Sequence, residues 1–270
     1  MTNMTNEVYS DLIQRAINEP GTINQAYSLF HDYSLLNSLY ASYQMKAMKI
    51  DITPIKTFKG WNDLGKSIAK GSKAIEILYP SFGYFKAKDE ETGKEETIKY
   101  IKGFFTKRQH FAASQLKDYG TDEPQRIKLN IEWDRVLKDL KLERVKWNTT
   151  NGNAQGWCNP TEGTIAINPI CKTIDKTMLH EVAHALMHKD SKHSRDIKEV
   201  QAETVAYIVL NMIGCDNQEV LSECRGYIQN WLKSNELEPK ISKEIMNTAN
   251  KLMEVISNKP KKEYTNSKRG

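Results

Sequence analysis

The strongest constraint on the fold is the pentapeptide His180-Glu-Val-Ala-His184, which lies in a segment of helical periodicity at about residues 173–189. Residues four apart share one face of an α-helix, so His180 and His184 can present two imidazoles to one metal ion. Glu181 projects about 100° around the helix from His180. It would lie beside such an ion, where a carboxylate can accept a proton from an activated water. The HExxH spacing is typical of zinc metallopeptidases.

A hydrolytic zinc ion needs a third protein ligand and an open fourth position. The next predicted helix, at about 194–213, offers Glu199 and Glu203 one turn apart, and Glu203 lies 19 residues after His184. This HExxH-x18-E arrangement resembles the gluzincin metallopeptidases, whose third ligand is a glutamate on a following helix. The resemblance implies that His180, His184 and Glu203 bind Zn²⁺, and Glu199 remains the alternative third ligand.

His188 continues the four-residue spacing. A straight helix cannot aim three residues eight positions apart at one ion about 2 Å from each nitrogen. We therefore expect His188 and His193 at the surface.

Zincins hold an extended substrate against an edge strand near the active helix. Residues 156–157 or 164–168 can supply that strand, although an ordinary core hairpin is an equal alternative.

The N-terminal half contains a basic segment. Residues 45–75 carry seven lysines against two aspartates. Proteins that bind single-stranded nucleic acid combine a cationic groove with aromatic faces on which bases stack. The lysines nearest to aromatic residues, and hence the candidate DNA-binding residues, are Lys56, Lys59, Lys66, Lys70 and Lys73. A solvated basic face over an aromatic core is the alternative, and Trp61 is expected in that core.

Several short motifs of this half have a familiar spacing. They are Tyr33-Ser34-Leu-Leu-Asn37, Thr57-Phe58-Lys59-Gly60-Trp61-Asn62 and Lys70-Gly71-Ser72-Lys73. Together they resemble the N-terminal domain of ArdC-type antirestriction proteins and of related LtrC-like proteins of plasmids and conjugative elements. The resemblance implies a domain that binds single-stranded DNA, followed by a zincin-like domain.

The predicted elements are helices flanking a small sheet in each half. Helices are expected at about 23–47, 60–69, 131–142 and 194–213, with one or two more over 217–257, and strands are expected at 74–79, 100–105 and 164–168. Pro80 is expected to end the first strand, and Gly214 to cap the helix before it. This pattern indicates an α+β fold rather than a doubly wound sheet.

Domain organisation follows from the resemblance together with a predicted linker at Asp118–Gln125. We expect an ArdC-like single-stranded-DNA-binding domain at 1–120. A zincin-like metallopeptidase domain, with an active-site helix and a glutamate helix, is expected at 125–257. A basic disordered tail is expected at 258–270.

Composition excludes other classes. The four cysteines form no CxxC pair, which excludes a cysteine zinc ribbon and a thioredoxin-type redox site. No stretch reaches about 18 consecutive apolar residues, so no membrane partner is expected. The N-terminus lacks the basic and apolar regions of a secretory signal, so a cytoplasmic protein is expected.

The expected function is a zinc metalloendopeptidase fused to a single-stranded-DNA-binding domain, of the mobile-element antirestriction type, acting on an unidentified protein substrate. Glu181 is the expected catalytic base. The alternative is a non-proteolytic antirestriction protein that coats entering single-stranded DNA and keeps a structural or idle metal site. An immunity-type regulatory protease is a weaker third hypothesis.

Overall fold

The structure is a computed structural model that describes residues 7–30, 33–88, 95–120, 128–148 and 154–258. Its helices are α1 (Glu7–Asn18), α2 (Thr22–Phe30), α3 (Leu35–Met48), α4 (Phe58–Asn62), α5 (Trp133–Leu140), α6 (Ile174–Met187), α7 (Arg195–Met212), α8 (Gln218–Leu232) and α9 (Pro239–Ile256). Its strands are β1 (Ile55–Thr57), β2 (Ile75–Lys88), β3 (Glu95–Ala112), β4 (Glu143–Arg144), β5 (Gly156–Asn159) and β6 (Thr164–Ile167). The basic tail from residue 259 onward and residues 121–125 of the expected linker lie outside these ranges.

The described strands form two small sheets, and helices surround both, so the α+β class is confirmed. The first sheet has the order β1-β3-β2 and is antiparallel throughout. The second has the order β4-β6-β5, with β4 parallel and β5 antiparallel to β6. The strand β5 is therefore an edge strand, and β6 is paired on both sides.

Two expected helices differ from the observed ones. The segment at 23–47 contains two helices, because Ser34 is extended and its side chain accepts a hydrogen bond from the backbone of Asn37, which starts α3. The helix expected at 60–69 stops at Asn62. Gly65 has a φ of 70°, which reverses the chain there and ends the helical path.

The first strand does not end at Pro80 as expected. β2 runs on to Lys88 and pairs with β3 along its whole length, with Pro80 opposite Phe104. β2 lies at the edge of its sheet. A proline is tolerated in such a strand because it need not donate to a second neighbour. The two strands therefore form one long β-ribbon.

One buried core joins the two halves of the described chain. It includes Ile13 of α1, Leu39 of α3, Val205 of α7 and Ile245 of α9. A hydrogen bond from the Leu35 backbone to the Asn250 side chain, 2.9 Å long, ties the N-terminal helices to α9. The helices that carry the candidate site therefore pack on the same core as the N-terminal helices.

The centre of that core is α7, which is buried continuously from Val200 to Met212. A helix that is buried on all sides over this length lies inside a core, although four of its buried residues are polar, namely Gln201, Glu203, Thr204 and Asn211. Gly214 follows it with a φ of 80°, as expected for a left-handed cap. None of the helices within the described ranges has both the length and the apolarity needed to cross a membrane.

Candidate metal centre

The two histidines of the pentapeptide meet a glutamate of α7. The Nε2 atoms of His180 and His184 lie 3.1 Å apart. Oε2 of Glu199 lies 3.4 Å from Nε2 of His180 and 3.7 Å from Nε2 of His184. Four ligands at about 2.0–2.1 Å around zinc would be separated by about 3.3 Å. The three donor atoms therefore match the face of a small tetrahedral metal site.

Glu203 occupies a different position. Its Oε2 lies 2.9 Å from Nδ1 of His180, the ring nitrogen that faces away from the donor group. Its Oε1 lies 3.2 Å from Nζ of Lys176. One turn further along α7, the carboxylate thus reaches the outer edge of the imidazole. The structure therefore favours Glu199, the alternative ligand, over the expected Glu203.

The charges around His180 suit a cation. Burial disfavours its charged form, but hydrogen bonds to Glu199 and Glu203 outweigh this effect and raise the pKa of His180 to about 9. Hydrogen bonds from His180 and His184 hold the pKa of Glu199 well below its usual value. A proton is thus stabilised where two imidazoles and a carboxylate meet. A divalent ion would be stabilised by the same groups.

Glu181 flanks this group without joining it. Glu181 is only 8% exposed. Burial raises the pKa of its carboxyl, although the nearby His180 and His184 act to lower it. Gly156 of β5 approaches it closely. A Cβ at Gly156 would lie 2.8 Å from Cγ2 of Thr177 and 3.0 Å from Oε1 of Glu181. The absence of a side chain at residue 156 therefore lets β5 lie against α6.

A cleft of about 1040 Å³ opens over the three donor atoms. Gly156 and Trp157 of β5 line one wall, and Val220 and Glu223 of α8 line another. Because β5 is the edge strand, 156–157 is the candidate strand that has backbone groups available for a bound peptide. The alternative at 164–168 falls on β6, which is paired on both sides.

His188 is not at the surface, so that expectation is wrong. It is 6% exposed, its Nδ1 lies 2.8 Å from Nδ1 of His184, and its Nε2 lies 3.1 Å from Oε1 of Gln201. The reason is the polar Gln201, which is fully buried in α7 and gives the imidazole a partner. His193 is partly buried, 3.2 Å from Glu244.

Four polar residues near the centre were not predicted, namely Lys176, His188, Gln201 and Glu244. The available signals were the third histidine of the four-residue series and a glutamine between Val200 and Ala202 in the predicted helix at 194–213.

The five candidate DNA-binding lysines are all exposed, along β1, α4 and the turns up to residue 73. Nζ of Lys56 lies 6.0 Å from the ring centroid of Trp61. Trp61 itself is buried and donates to the carbonyl of Phe111, so its expected place in a core is confirmed. Phe58, in contrast, is 57% exposed beside the lysines.

The β2–β3 ribbon presents further aromatic and basic side chains that the sequence analysis did not connect. Nζ of Lys99 lies 3.9 Å from the ring centroid of Phe82, and Nζ of Lys107 lies 5.2 Å from that of Tyr79. Tyr84 is 53% exposed at the neighbouring position. We call this set of residues the ribbon face.

Fold and site together define an α+β protein with a candidate centre of two histidines and one glutamate. Residues 3–110 match the family model of the N-terminal domain of anti-restriction factor ArdC. The fold is similar to the metal-free crystal structure of antirestriction ArdC protein from the R388 plasmid. The TM-score is 0.50 with 19% identity, covering 93% of this chain and 98% of that one.

A Mn(II)-bound structure of the same R388 protein is similar at a TM-score of 0.51 and 18% identity. It covers 93% of this chain and 99% of that one. A comparison with curated proteins gives no match. Residues 3–110 are therefore similar to the N-terminal domain of ArdC, and the fold of the chain is similar to that of the R388 protein.

Proposed function

We propose that this chain is an antirestriction protein of the ArdC type that combines a metal-dependent endopeptidase with a surface for single-stranded DNA. The observation that carries the peptidase is the approach of His180, His184 and Glu199 within one cleft, with Glu181 beside them. The DNA-binding part would lie within 1–120 and the zincin-like part within 125–257. The setting would be the cytoplasm of a cell that receives a mobile element.

His180, His184 and Glu199 would hold the ion, and Zn²⁺ is our choice because two imidazoles and a carboxylate suit it. The Mn(II) in the R388 protein makes Mn²⁺ the competitor. When bound, a divalent ion supplies Lewis-acid chemistry, polarising a carbonyl and activating water at neutral pH. Glu203 would orient the imidazole of His180 from its outer edge.

Glu181 would act as the general base. Its carboxylate accepts a proton as water adds to the peptide carbonyl, and it then passes that proton to the departing amine. A base is most effective when its pKa lies near the working pH. The burial that raises the pKa of Glu181 moves it in that direction.

The edge strand β5 would align the substrate. A peptide that adds a strand to a sheet edge gains backbone hydrogen bonds and needs little side-chain specificity. Gly156 brings this edge close to Glu181, so that the scissile bond would lie near the base. The proposed substrate is therefore an extended, accessible protein segment.

The test of the peptidase uses Glu181→Gln, which keeps the shape of the side chain but cannot accept the proton. We expect the purified variant to bind as much metal as the wild type. Its cleavage of an unfolded protein such as casein should fall by a factor of about 10²–10⁴. Full cleavage by the variant would refute the mechanism, and equal metal content is the control for an intact site.

A second candidate function is binding of single-stranded DNA without proteolysis, with a structural or idle metal site. Five exposed lysines beside exposed Phe58, and the ribbon face on the same sheet, favour it. Stacking of bases on aromatic rings next to cations is how sequence-tolerant single-strand binders work. Protection of DNA by Glu181→Gln at the wild-type level would support this alternative over the peptidase.

A further inference from the structure

A line of hydrogen-bonded polar side chains runs behind His184 from the end of α6 through α7 to α9; His188 and Gln201 are buried, and Glu244 is partly exposed. Nδ1 of His184 lies 2.8 Å from Nδ1 of His188, and Nε2 of His188 lies 3.1 Å from Oε1 of Gln201. Nε2 of Gln201 then donates to Oε2 of Glu244 over 2.8 Å. Gln201 is fully buried in α7, between Val200 and Ala202, which are also fully buried.

The donor and acceptor of each hydrogen bond can be deduced by starting from the carboxylate of Glu244 and working back toward His184. A carboxylate only accepts, so the Gln201 amide must turn its NH₂ group to Glu244 and its carbonyl oxygen to His188. Nε2 of His188 must then carry the proton, which leaves a lone pair on Nδ1. That lone pair accepts from Nδ1–H of His184. The remaining nitrogen of His184, Nε2, is consequently the one with a free lone pair.

We propose that His188 and Gln201, anchored by Glu244, are positioning residues that fix His184 in the tautomer and orientation needed to bind the metal ion. The carboxylate of Glu203 orients His180 in the same way, but by direct contact, because its Oε2 lies 2.9 Å from Nδ1 of His180. Outer partners of this kind set which nitrogen of a ligating imidazole faces the ion. Here one histidine has a short connection to a carboxylate, and the other has a connection through two further side chains.

The inference rests on the proposed metal centre, and the experiment separates the two. Zn²⁺ affinity is measured by competition with a chromophoric chelator for the wild type, His188→Ala, His188→Asn and Glu244→Gln. Glu254→Gln, an exposed position of the same helix α9, is the matched control. Thermal unfolding of the metal-free proteins reports whether each variant is folded.

We expect His188→Ala to weaken Zn²⁺ binding by about 10–100-fold. His188→Asn should bind more tightly than His188→Ala, because its amide oxygen can accept from Nδ1–H of His184. Glu244→Gln should weaken binding at unchanged thermal stability, and Glu254→Gln should bind as the wild type does. If the wild type binds Zn²⁺ and the folded variants all bind it equally well, the positioning role is overturned. If the wild type binds none, the metal centre itself is refuted, and the positioning role with it.

A second readout needs no variant and no metal. In the chelator-treated wild type, ¹⁵N chemical shifts of the histidine rings report the tautomer. We expect the Nδ1–H form for His184 and the Nε2–H form for His188. The Nδ1–H form at His188 would contradict the donor and acceptor roles assigned to the hydrogen bonds between His184 and Glu244.

Discussion

Oε2 of Glu203 lies 2.9 Å from Nδ1 of His180, on the ring edge opposite to the one that faces His184 and Glu199. One turn of α7 therefore separates Glu199, which faces the two Nε2 atoms, from Glu203, which contacts the outer edge of His180. Burial works against the ionised form of Glu203. The hydrogen bond from His180 and the charge of Lys176 nevertheless lower the pKa of Glu203 to about 2. It is thus an anion over the whole physiological range.

The two glutamates should differ in their effects on the metal. Glu199→Ala removes a donor atom, and we expect it to abolish stoichiometric binding. Glu203→Ala leaves all three donors and removes only the outer partner of His180. Its affinity should fall by about 10–100-fold while saturation still reaches the wild-type level. Titration of each metal-free variant with Zn²⁺ and Mn²⁺ checks this order, and the reverse order would restore Glu203 as the ligand.

Gly156→Ala should disturb the cleft for a steric reason. The new methyl would lie 2.8 Å from Cγ2 of Thr177, so β5 must move away from α6. Such overpacking costs about 1–3 kcal/mol in the free energy of unfolding, and peptidase activity should fall with it. The control is Gly226→Ala on the exposed side of α8, where a Cβ meets nothing within 4 Å. Chemical denaturation should show that this helical change raises stability by about 0.5–1 kcal/mol.

DNA binding should depend on the five lysines through charge. Neutralising Lys56, Lys59, Lys66, Lys70 and Lys73 to Gln should weaken binding of an oligonucleotide. The substitutions should also reduce the slope of the logarithm of the binding constant against the logarithm of the salt concentration. The reduction is up to about 3.5, if each lysine contacts one phosphate. Fluorescence anisotropy over a salt series measures both. Phe58→Ala should instead cost about 1–3 kcal/mol at an unchanged slope, as expected for lost stacking.

The matched control neutralises five exposed lysines of the C-terminal half, namely Lys138, Lys141, Lys189, Lys192 and Lys243. It removes the same charge from elsewhere and should retain most of the affinity. Equal losses in the two variants would mean that net charge, and not the predicted surface, governs binding.

His110 should make the fold sensitive to acid. Burial lowers the pKa of His110 to about 4, against 6.5 in an ordinary environment. Between these values the unfolded chain takes up a proton that the folded protein excludes. Stability is therefore lost as the pH falls from 6.5 toward 4, by up to about 3 kcal/mol. Urea unfolding of the wild type at pH 7 and pH 4.5 measures the loss.

The control for this effect is His110→Phe. Nδ1 of His110 is buried and has no hydrogen-bond partner in the described part of the chain. Its Nε2 has one long contact, 3.4 Å from the hydroxyl of Tyr79, which keeps a hydrogen bond from Gln109 when the imidazole is replaced, so an apolar ring of similar shape is tolerable there. Subtracting the pH dependence of the variant isolates the contribution of His110 from that of other groups. The same dependence in both proteins would contradict the assigned cause.

The sequence alone was enough for features that depend on local spacing. His180 and His184 meet as expected because helical geometry puts residues four apart on one face. The resemblance favoured Glu203 as the third ligand, and the sequence alone could not test that choice against Glu199, since both lie on the same face of α7. The choice depends on how far α7 is shifted along α6, which is a matter of tertiary packing.

Two other differences have the same origin. The place of His188 depends on Gln201, a partner 13 residues away on another helix. The continuation of β2 through Pro80 depends on its position at the sheet edge, which only the strand order reveals. Short-range patterns carry no information on either contact.

We infer that His180, His184 and Glu199 form a metal centre. Its most direct test is the metal content, by elemental analysis, of the wild type and of His180→Ala after both are loaded with Zn²⁺ and dialysed. His193→Ala, which removes a histidine outside the donor group, is the matched control. We predict one Zn²⁺ per chain in the wild type and in the control, and none in His180→Ala. Equal metal in all three proteins, or none in a folded wild type, would contradict the account.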